Sequence, residues 1–505
     1  MYIVYSVETM CCLKLIVFSA LIAVVRGERR FPDAFKFGAA TASYQVEGAW
    51  NVSDKSASIW DTYSHKKPSV IVDESNGDVA CDSYHKWRED VQLASELGLD
   101  FYRLSLSWPR LLPNGFSNYI SEDGKRYYND VINGLLEKGI EPVITLYHWD
   151  LPQKLQDLGG WTNPLIVEWF ADYARVAYDL FGDRVKSWIT INEGIVACEG
   201  TYTLGSFAPG IYSPGFGSYL CNKNVLLAHA KAWRLYDEEY KPKYGGKVSL
   251  TNQIIWPQAH SEEYEDLAEL VLQMNGGLYS HAIYSKEGGW PPAVEKYIAE
   301  KSAQEGYTRS RLPPLTTEEI NLIKGTFDFY ALNYYTSWLV RSPKEGENIG
   351  KWPLYGCEEI NALLEPAPEW PPTSSDWFFE YPEGLRRLLS WLKKTYGDME
   401  YRIMENGYAS DKRDLNDVNR VNYYKTHLEQ VYLAITEDNV NVTYYTAWTL
   451  LDNFEWNDGY VSKFGLVDVD FTHPDRPRTP RSSAYYYANV ISTRSLYDDD
   501  LKTNL

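Results

Sequence analysis

Short apolar runs alternate with longer amphipathic stretches along most of the chain. Eight runs are rich in β-branched and aromatic residues, which is typical of buried strands: 37–41, 101–106, 142–147, 188–192, 247–252, 327–333, 401–404 and 443–448. Helical spacing occurs between them at 82–97, 127–138, 164–180, 226–240, 267–284, 384–396 and 419–435. Repeated strand–helix units form parallel sheets, and eight such units close a barrel. The pattern predicts an α/β fold, a (β/α)8 TIM barrel with long βα loops.

The chain is predicted to contain one large domain after a short leader. Residues 15–25 form an apolar run that is too short to cross a bilayer but suits a signal peptide, which we place at 1–27. The proline-rich stretch 341–382 lies between the sixth strand and the next helix, so we interpret it as a long βα loop. Because no low-complexity linker divides the rest, we predict a single catalytic domain over 28–505.

Composition restricts the classes of partner. The 18 Trp and 41 Tyr residues fit a carbohydrate site, because sugar rings stack on aromatic rings, but they fit a tyrosine-rich core equally well. The net charge of −20 comes without a basic cluster that would offset it. Such a surface repels nucleic acid and anionic membranes, so we expect neither as a partner.

Cysteines and glycosylation motifs indicate the secretory pathway. Four cysteines remain after the predicted leader, and they allow three pairings: Cys81, Cys198, Cys221 and Cys357. Their spacing does not resemble a zinc site, and no metal is expected. Asn51 and Asn441 each begin an N-glycosylation motif. We therefore predict a secreted glycoprotein, or one held in the lumen of the secretory pathway.

Seven of the eight predicted strands have residues of polar or mixed character at or just after their carboxyl ends. These residues are Gln45, Arg103, His148-Trp149, Asn192-Glu193, Asn333-Tyr334-Tyr335, Glu405-Asn406 and Trp448. In a parallel barrel the carboxyl ends of the strands meet at one face, where active sites lie. The sequence therefore predicts that these side chains converge on one pocket.

Seven motifs in a fixed order resemble the family 1 glycoside hydrolases, the β-glucosidase family. They are FGAATASYQVEG at 37–48, YRLSLSWPRLLP at 102–113, YHWDLPQ at 147–153, INEG at 191–194, LNYYT at 332–336, MENG at 404–407 and WTLLDNFEW at 448–456. The resemblance runs from about residue 31 to 488. It implies a retaining β-glycosidase that acts through a covalent glycosyl-enzyme on β-D-glucosides, with β-galactosides and β-fucosides as further substrates.

The resemblance also assigns the chemistry to particular residues. Glu405 matches the nucleophile and Glu193 the acid/base; retaining enzymes hold two such carboxyls about 5–5.5 Å apart. Arg103 is expected to point at Glu405, lower its pKa and keep it ionised, although a structural ion pair in the barrel is an alternative that can coexist with this role. Tyr335 resembles the tyrosine that hydrogen-bonds the nucleophile.

Further residues are assigned to the sugar. Gln45, His148, Asn192, Trp448 and Glu455 match sugar-binding positions, where amide, imidazole and carboxylate groups pair with hydroxyls. The charge of Glu455 would repel a 6-phosphate, which favours a neutral sugar. Two strand-end residues, Trp149 and Asn333, are expected in the same site, and Trp456 and Phe464 fall at family positions near the sugar; for the aromatic residues, packing in the barrel is the alternative. Trp377, in the long loop after the sixth strand, resembles the aromatic platform for the aglycone in related enzymes.

One position departs from the family pattern. The family usually has proline after the acid/base glutamate, whereas this chain has Gly194. Proline would fix the local backbone, while glycine loosens it and allows a positive φ. The sequence therefore identifies Glu193 more firmly than it predicts the position of the Glu193 carboxyl.

Two other functions remain open at this stage. A thioglucosidase of the myrosinase type would need the same sugar site and a positive group for a sulfated aglycone, for which Arg341 and Lys351 are candidates. A non-catalytic sugar-binding relative usually loses a catalytic carboxylate, whereas both are present here. No cofactor is expected, because the mechanism needs only carboxylates and water. The oligomeric state stays open between a monomer and a homodimer.

Overall fold

The computed structural model describes residues 29–349 and 359–496, so the predicted signal peptide 1–27 lies outside the described residues. Eight parallel strands close a barrel in which each strand pairs with its neighbours in chain order. They are β1 (Lys36–Ala40), β2 (Phe101–Ser105), β3 (Glu141–Tyr147), β4 (Ser187–Asn192), β5 (Lys247–Gln253), β6 (Tyr330–Asn333), β7 (Tyr401–Asn406) and β8 (Val442–Trp448). The predicted (β/α)8 barrel is confirmed.

A helix follows each strand on the outside of the barrel. The eight helices are α1 (Ser83–Glu96), α2 (Glu122–Glu137), α3 (Ile166–Phe181), α4 (Gly217–Leu235), α5 (Leu278–Tyr284), α6 (Pro382–Tyr396), α7 (Val418–Thr436) and α8 (Ser482–Thr493). Seven correspond to the predicted amphipathic stretches, and α8 was not predicted. The stretch 267–284 is also less regular than expected, because a π-helical turn at Gln273–Gly277 separates Glu265–Leu272 from α5.

The long loop after β6 contains secondary structure of its own. Ser337–Arg341 pairs in parallel with Trp256–Ala259 and antiparallel with Leu363–Glu365, which gives a three-stranded sheet beside the barrel mouth. The stretch 341–382, predicted as a long βα loop, therefore contains the strand Leu363–Glu365 and the end of another. This sheet sets the path of the segments that lead from β5 and β6 into the active-site face.

The amino end of the barrel is filled rather than open. Seven side chains form a buried apolar cluster inside it: Phe101, Val143, Ile189, Phe329, Ala331, Met404 and Tyr444. The Arg402 guanidinium lies 3.9 Å from the ring centroid of Phe329 and 4.0 Å from that of Tyr444. Around this end, Lys36 pairs with Glu141, and Lys247 pairs with Glu400.

One disulfide is formed among the cysteines that the structure describes. Cys198 and Cys221 make a disulfide that joins the segment after β4 to α4. Cys81 is buried as a free thiol, and Cys357 lies outside the described residues. Across residues 29–349 and 359–496, no helix has both the length and the apolar character needed to cross a membrane.

Candidate active site

A cavity of about 540 Å³ opens at the carboxyl ends of the barrel strands. This is within the range usual for small-molecule sites. Ten of the residues predicted from the sequence line it: His148, Trp149, Glu193, Tyr335, Trp377, Glu405, Trp448, Glu455, Trp456 and Phe464. The remaining four, Arg103, Gln45, Asn192 and Asn333, lie behind this lining and are bonded to it.

Glu405 stands near the end of β7 and is held by two donors. Nη1 of Arg103 donates to its Oε1 at 2.7 Å, and the hydroxyl of Tyr335 donates to its Oε2 at 2.8 Å. Arg103 is itself fixed, because its Nη2 donates to Oδ1 of Asn192 at 2.7 Å and its Nε to Thr145 at 3.1 Å. Both carboxylate oxygens of Glu405 therefore have a set orientation.

Glu193 follows β4 directly and is held differently. Its backbone is left-handed, with φ 47° and ψ 51°, and it is the N-cap of the short helix Gly194–Cys198. Its amide donates to the carbonyl of Thr251 on β5 at 2.8 Å. On the carboxyl, Nδ2 of Asn333 donates to Oε1 at 2.6 Å. Asn333 also acts to lower the pKa of Glu405, so its amide lies near both carboxyls.

The two carboxyls have unequal surroundings. Burial and the nearby Glu405 charge raise the pKa of Glu193 to about 8. Burial raises the pKa of Glu405 as well, although Arg103 and Tyr335 oppose that effect. Arg103 acts to lower the pKa of Glu405, as expected from the sequence. Burial has the larger effect, so the net shift is upward, which differs from that expectation. Glu405 has the cationic partner, so we assign the first ionisation of the pair to Glu405 and the retained proton to Glu193.

His148 is held as a neutral acceptor. Nδ2 of Asn192 donates to its Nε2 at 3.0 Å, and burial lowers its pKa well below the ordinary value, with Arg103 adding to the effect. The indole of Trp149 donates to the carbonyl of Asn192 at 2.9 Å. Asn192 therefore joins the rings at the end of β3 to the guanidinium beside Glu405.

A second polar group lies where the loop after β8 meets the segment after β1. Nε2 of Gln45 donates to the Phe454 carbonyl at 2.9 Å and to Oε2 of Glu455 at 3.3 Å. Its Oε1 is buried and has no hydrogen-bond partner among the described residues. Burial raises the pKa of Glu455 well above the usual value, and Asp458 and Glu405 add to this. Of this pair, Glu455 lines the cavity, and Gln45 lies behind it with a buried amide oxygen that no described residue satisfies.

Aromatic rings form much of the wall. Trp149 and Trp456 lie with ring centroids 4.6 Å apart, and Trp448 stacks on His148 at 5.7 Å. On the other side, Trp377 and Phe464 both contact Tyr335 edge-on. Such walls match the flat C–H faces of a pyranose.

The cavity lining includes residues that were not predicted from the sequence. They come from β5 and from the loops after β4, β6 and β8: Leu204, Ser206, Phe207, Gln253, Trp338 and Asp458. Gln253 was detectable, because it ends β5 and obeys the same strand-end rule as the others. The loop residues follow no periodic pattern that would have marked them.

The outer wall has no positive charge among the described residues. No Lys or Arg lines the cavity, whereas Glu193, Glu405, Glu455 and Asp458 do. Arg341 does not serve as a cationic rim group, because its guanidinium is bonded to Glu347 and Glu365. Lys351 lies outside the described residues.

The structure corrects the interpretation of Gly194. The positive φ belongs to Glu193, and Gly194 is the first residue of the short helix. Glycine is needed there for space. A β-carbon at this position would lie 2.6 Å from Cγ1 of Val225 and 2.7 Å from the hydroxyl oxygen of Tyr279.

Two facing carboxyls in an aromatic cavity at the carboxyl end of a (β/α)8 barrel define a glycoside hydrolase. Residues 27–496 match the profile of glycosyl hydrolase family 1. The chain is 45% identical to myrosinase 1 of Brevicoryne brassicae over 468 residues, which covers 92% of this chain and 99% of that protein. It is 42% identical to human cytosolic beta-glucosidase over 472 residues, with the same coverage.

A solved structure of aphid myrosinase superposes with a TM-score of 0.88 at 44% identity, covering 92% of this chain and all of that one. The chain belongs to glycosyl hydrolase family 1. It is a retaining β-glycosidase, an enzyme that transfers the sugar in two displacements through a covalent glycosyl-enzyme.

Proposed function

We propose that this enzyme hydrolyses β-D-glucosides with uncharged, largely apolar aglycones, with Glu405 as nucleophile and Glu193 as acid/base. The observation that carries the assignment is the unequal support of the two carboxyls. Among the described residues, Glu405 accepts hydrogen bonds from a guanidinium and a phenol, while Glu193 accepts one only from the amide of Asn333. The first environment favours an anion and the second a protonated acid.

The proposed reaction uses each carboxyl twice. In the first step, Glu405 attacks the anomeric carbon while the proton of Glu193 moves to the glycosidic oxygen, and the neutral aglycone leaves. In the second step, Glu193 takes a proton from water, and the resulting hydroxide displaces Glu405 from the sugar. Arg103 and Tyr335 stabilise Glu405 whenever it is anionic, at the start and again at release.

The sugar is proposed to lie against the inner residues. Oε1 of Gln45 and Oδ1 of Asn333 are buried acceptors without a partner among the described residues, which suits sugar hydroxyl donors. His148, Asn192 and Glu455 supply further polar groups, and Trp448 offers an aromatic face. Trp149, Trp456 and Phe464 complete the wall around it.

The aglycone is proposed to lie in the outer half, with Trp377 as one wall. Leu204, Phe207 and Trp338 make this part apolar, and Asp458 is its only charged side chain among the described residues. An anionic sulfate would find no cation on the described lining, so its loss of hydration would go uncompensated. This favours O-glucosides over glucosinolates. The thioglucosidase alternative retains one observation in its favour, the 45% identity to a myrosinase.

A substrate panel tests the preference. We expect turnover of 4-nitrophenyl and octyl β-D-glucosides to exceed that of a glucosinolate such as sinigrin, with a KM for the O-glucosides that changes little between low and high salt. Faster turnover of the thioglucoside, with a KM that rises with salt, would reverse the choice of substrate and leave the carboxylate roles intact.

The carboxylate roles have a separate test. Glu405→Gln keeps the shape but removes the nucleophile, so hydrolysis should fall by several orders of magnitude and no glycosyl-enzyme should be detected by mass spectrometry. Glu380→Gln is the matched control, since burial raises the pKa of this carboxyl to about 7 although it does not line the cavity. Near-normal activity of Glu405→Gln would refute the mechanism.

We also propose that the protein is a secreted glycoprotein that loses residues 1–27. Both Asn51 and Asn441 are exposed, and the Cys198–Cys221 disulfide suits an oxidising compartment. Expression with and without residues 1–27 in a secretory host tests this. We expect export only with the leader, and a loss of mass on deglycosylation that is reduced in Asn51→Gln and in Asn441→Gln. Equal export without the leader would contradict the proposal.

A further inference from the structure

The turn at Glu193 is strained, and its neighbours must hold it. A residue with a β-carbon adopts left-handed backbone only where the surrounding structure enforces it. One restraint is the bond from the Glu193 amide to the Thr251 carbonyl. The carboxyl itself has a single described donor, Asn333, whereas Glu405 has two, Arg103 and Tyr335. The position of the Glu193 carboxyl therefore depends on the backbone turn more than that of Glu405 does.

Three buried contacts fix the helix that follows this turn. At its far end, Cys198 is joined to Cys221 of α4. One turn further along α4, Cγ1 of Val225 packs against Gly194. From α5, Tyr279 fills the remaining space, with its hydroxyl oxygen 2.7 Å and its Cε2 atom 3.0 Å from the point where a β-carbon of residue 194 would stand.

The tyrosine is itself locked in place. Its hydroxyl donates to Oδ1 of Asn222 at 2.8 Å, and Asn222 directly follows the disulfide residue Cys221 on α4. Tyr279 is 1% exposed and Asn222 is fully buried. The phenol thus links α5 to α4 at the level of Gly194, directly behind the turn that carries Glu193.

We propose that Tyr279 is a positioning residue for Glu193. Its ring and hydroxyl take the place of a side chain at residue 194, and they hold the left-handed turn so that the carboxyl meets the glycosidic oxygen. This rests on the proposed role of Glu193 as the acid. Gly194 and Tyr279 form one steric unit, in which the absence of a side chain on the first makes room for the second.

Leaving-group dependence separates positioning from general packing. We would measure kcat/KM of Tyr279→Ala for 2,4-dinitrophenyl, 4-nitrophenyl, phenyl and octyl β-D-glucosides. A displaced acid harms substrates that need protonation and spares those that do not, so the loss should be about tenfold or more greater for the octyl than for the dinitrophenyl glucoside. A uniform loss across the series would overturn the proposal.

Two reference variants make the result unambiguous. Tyr284→Ala removes another buried tyrosine of α5, one whose hydroxyl lies beside Ser249 instead, and it should leave the leaving-group series unchanged. Glu193→Gln should strongly increase the dependence of kcat/KM on the leaving group, with the octyl glucoside losing far more than the dinitrophenyl glucoside. If it does not, the proposed role of Glu193 fails, and that failure is distinguishable from a failure confined to Tyr279.

A compensation experiment tests the steric unit without relying on Tyr279→Ala. Gly194→Ala should steepen the leaving-group series, because the new methyl group displaces the turn. Adding Val225→Ala and Tyr279→Phe removes Cγ1 and the hydroxyl, the two nearest atoms, and should recover at least about a tenfold loss on the octyl glucoside. No recovery in the triple variant would overturn the proposal, including in the case where Tyr279→Ala does not fold.

Discussion

The hydroxyl of Tyr335 donates to Oε2 of Glu405 at 2.8 Å, whereas the hydroxyl of the adjacent Tyr334 bonds Ser337 and the Tyr381 carbonyl. Two neighbouring tyrosines at the end of β6 thus separate a contact with the proposed nucleophile from a structural contact. This pair offers a matched comparison at one position in the fold.

Tyr335→Phe should therefore lower kcat/KM and move the acidic limb of the pH profile to higher pH. It removes a donor that stabilises ionised Glu405, and a hydrogen bond to a charged group is worth about 1.5–3 kcal/mol, or roughly 10- to 100-fold. Tyr334→Phe should leave the acidic limb in place. Equal pH profiles for the two variants would contradict a role for Tyr335 at Glu405.

The wild-type pH–rate profile should be bell-shaped. Activity needs Glu405 ionised and Glu193 protonated, and kcat/KM reports the ionisations of the free enzyme. Because burial and the Glu405 charge raise the pKa of Glu193 to about 8, the alkaline limb should fall near that pH. Activity that rises steadily to about pH 9 would be inconsistent with Glu193 as the acid.

Glu193→Gln should separate the two chemical steps. With 2,4-dinitrophenyl β-D-glucoside, the leaving group needs no proton, so dinitrophenolate should appear in a rapid burst. The second step then lacks its base, and the glycosyl-enzyme should accumulate. Azide, which needs no base, should restore turnover. Fast steady turnover without azide would assign the base to another residue.

The same variant predicts a change in stability with pH. The pKa of Glu193 is raised from 4.5 to about 8, so the folded state keeps a proton that the unfolded chain releases. The contribution of protonated Glu193 to the free energy of unfolding is fully present below pH 4.5 and is lost as the pH rises through about 8. The Tm advantage of Glu193→Gln over the wild type should accordingly grow across this window, as measured by calorimetry.

Asp470→Asn is the control for this measurement. Thr472 and Arg413 lower the pKa of Asp470 to about 2, so its effect on stability falls at more acidic pH and its Tm difference from wild type should stay constant over the same window. A constant difference for Glu193→Gln as well would mean that its folded-state pKa is not raised.

The disulfide should contribute measurably to stability. Cys198 and Cys221 are separated by 23 positions, and closing a loop of this size stabilises a fold by about 3 kcal/mol in the chain-entropy account. Replacing both cysteines with serine should lower the denaturation midpoint, and a reductant should have a similar effect on the wild type. Cys81→Ser is the control, since that thiol forms no disulfide with any described cysteine. An unchanged midpoint in the double variant would contradict this.

The barrel could be predicted because each of its strands is marked by residues that are close together in the sequence. Buried parallel strands read as continuous apolar runs, and a polar residue at a strand end marks the active-site face. Helix α8 was missed because Ser482–Thr493 is rich in Ser, Tyr and β-branched residues, which favour a helix weakly, so tertiary packing decides its structure. The start of α4 was placed nine residues late for a related reason, since buried Asn222 and Asn224 interrupt its apolar pattern.

The sequence predicted the strand-end residues of the cavity more completely than those from loops, of which some, such as Trp377, came only from the family resemblance. Residues such as Glu193, Asn333 and Glu405 stand at strand ends, where the fold fixes their direction. The outer wall comes from loops whose side chains meet only in three dimensions, as Leu204 and Trp338 do. The effect of Gly194 was beyond the sequence for the same reason, because the atoms that exclude a side chain there belong to α4 and α5.

The apolar side chains packed inside the barrel close the base of the cavity, so substrate enters and products leave at the carboxyl end of the barrel. In the proposed binding mode the sugar lies deep and the aglycone lies near the mouth, so the aglycone has to leave before glucose can. The aglycone departs before water can reach the bond to Glu405, and glucose leaves only after the mouth has cleared. An alcohol that enters the mouth before water does reacts with the glycosyl-enzyme in place of water. The product is then a new glucoside of that alcohol, and no free glucose is released.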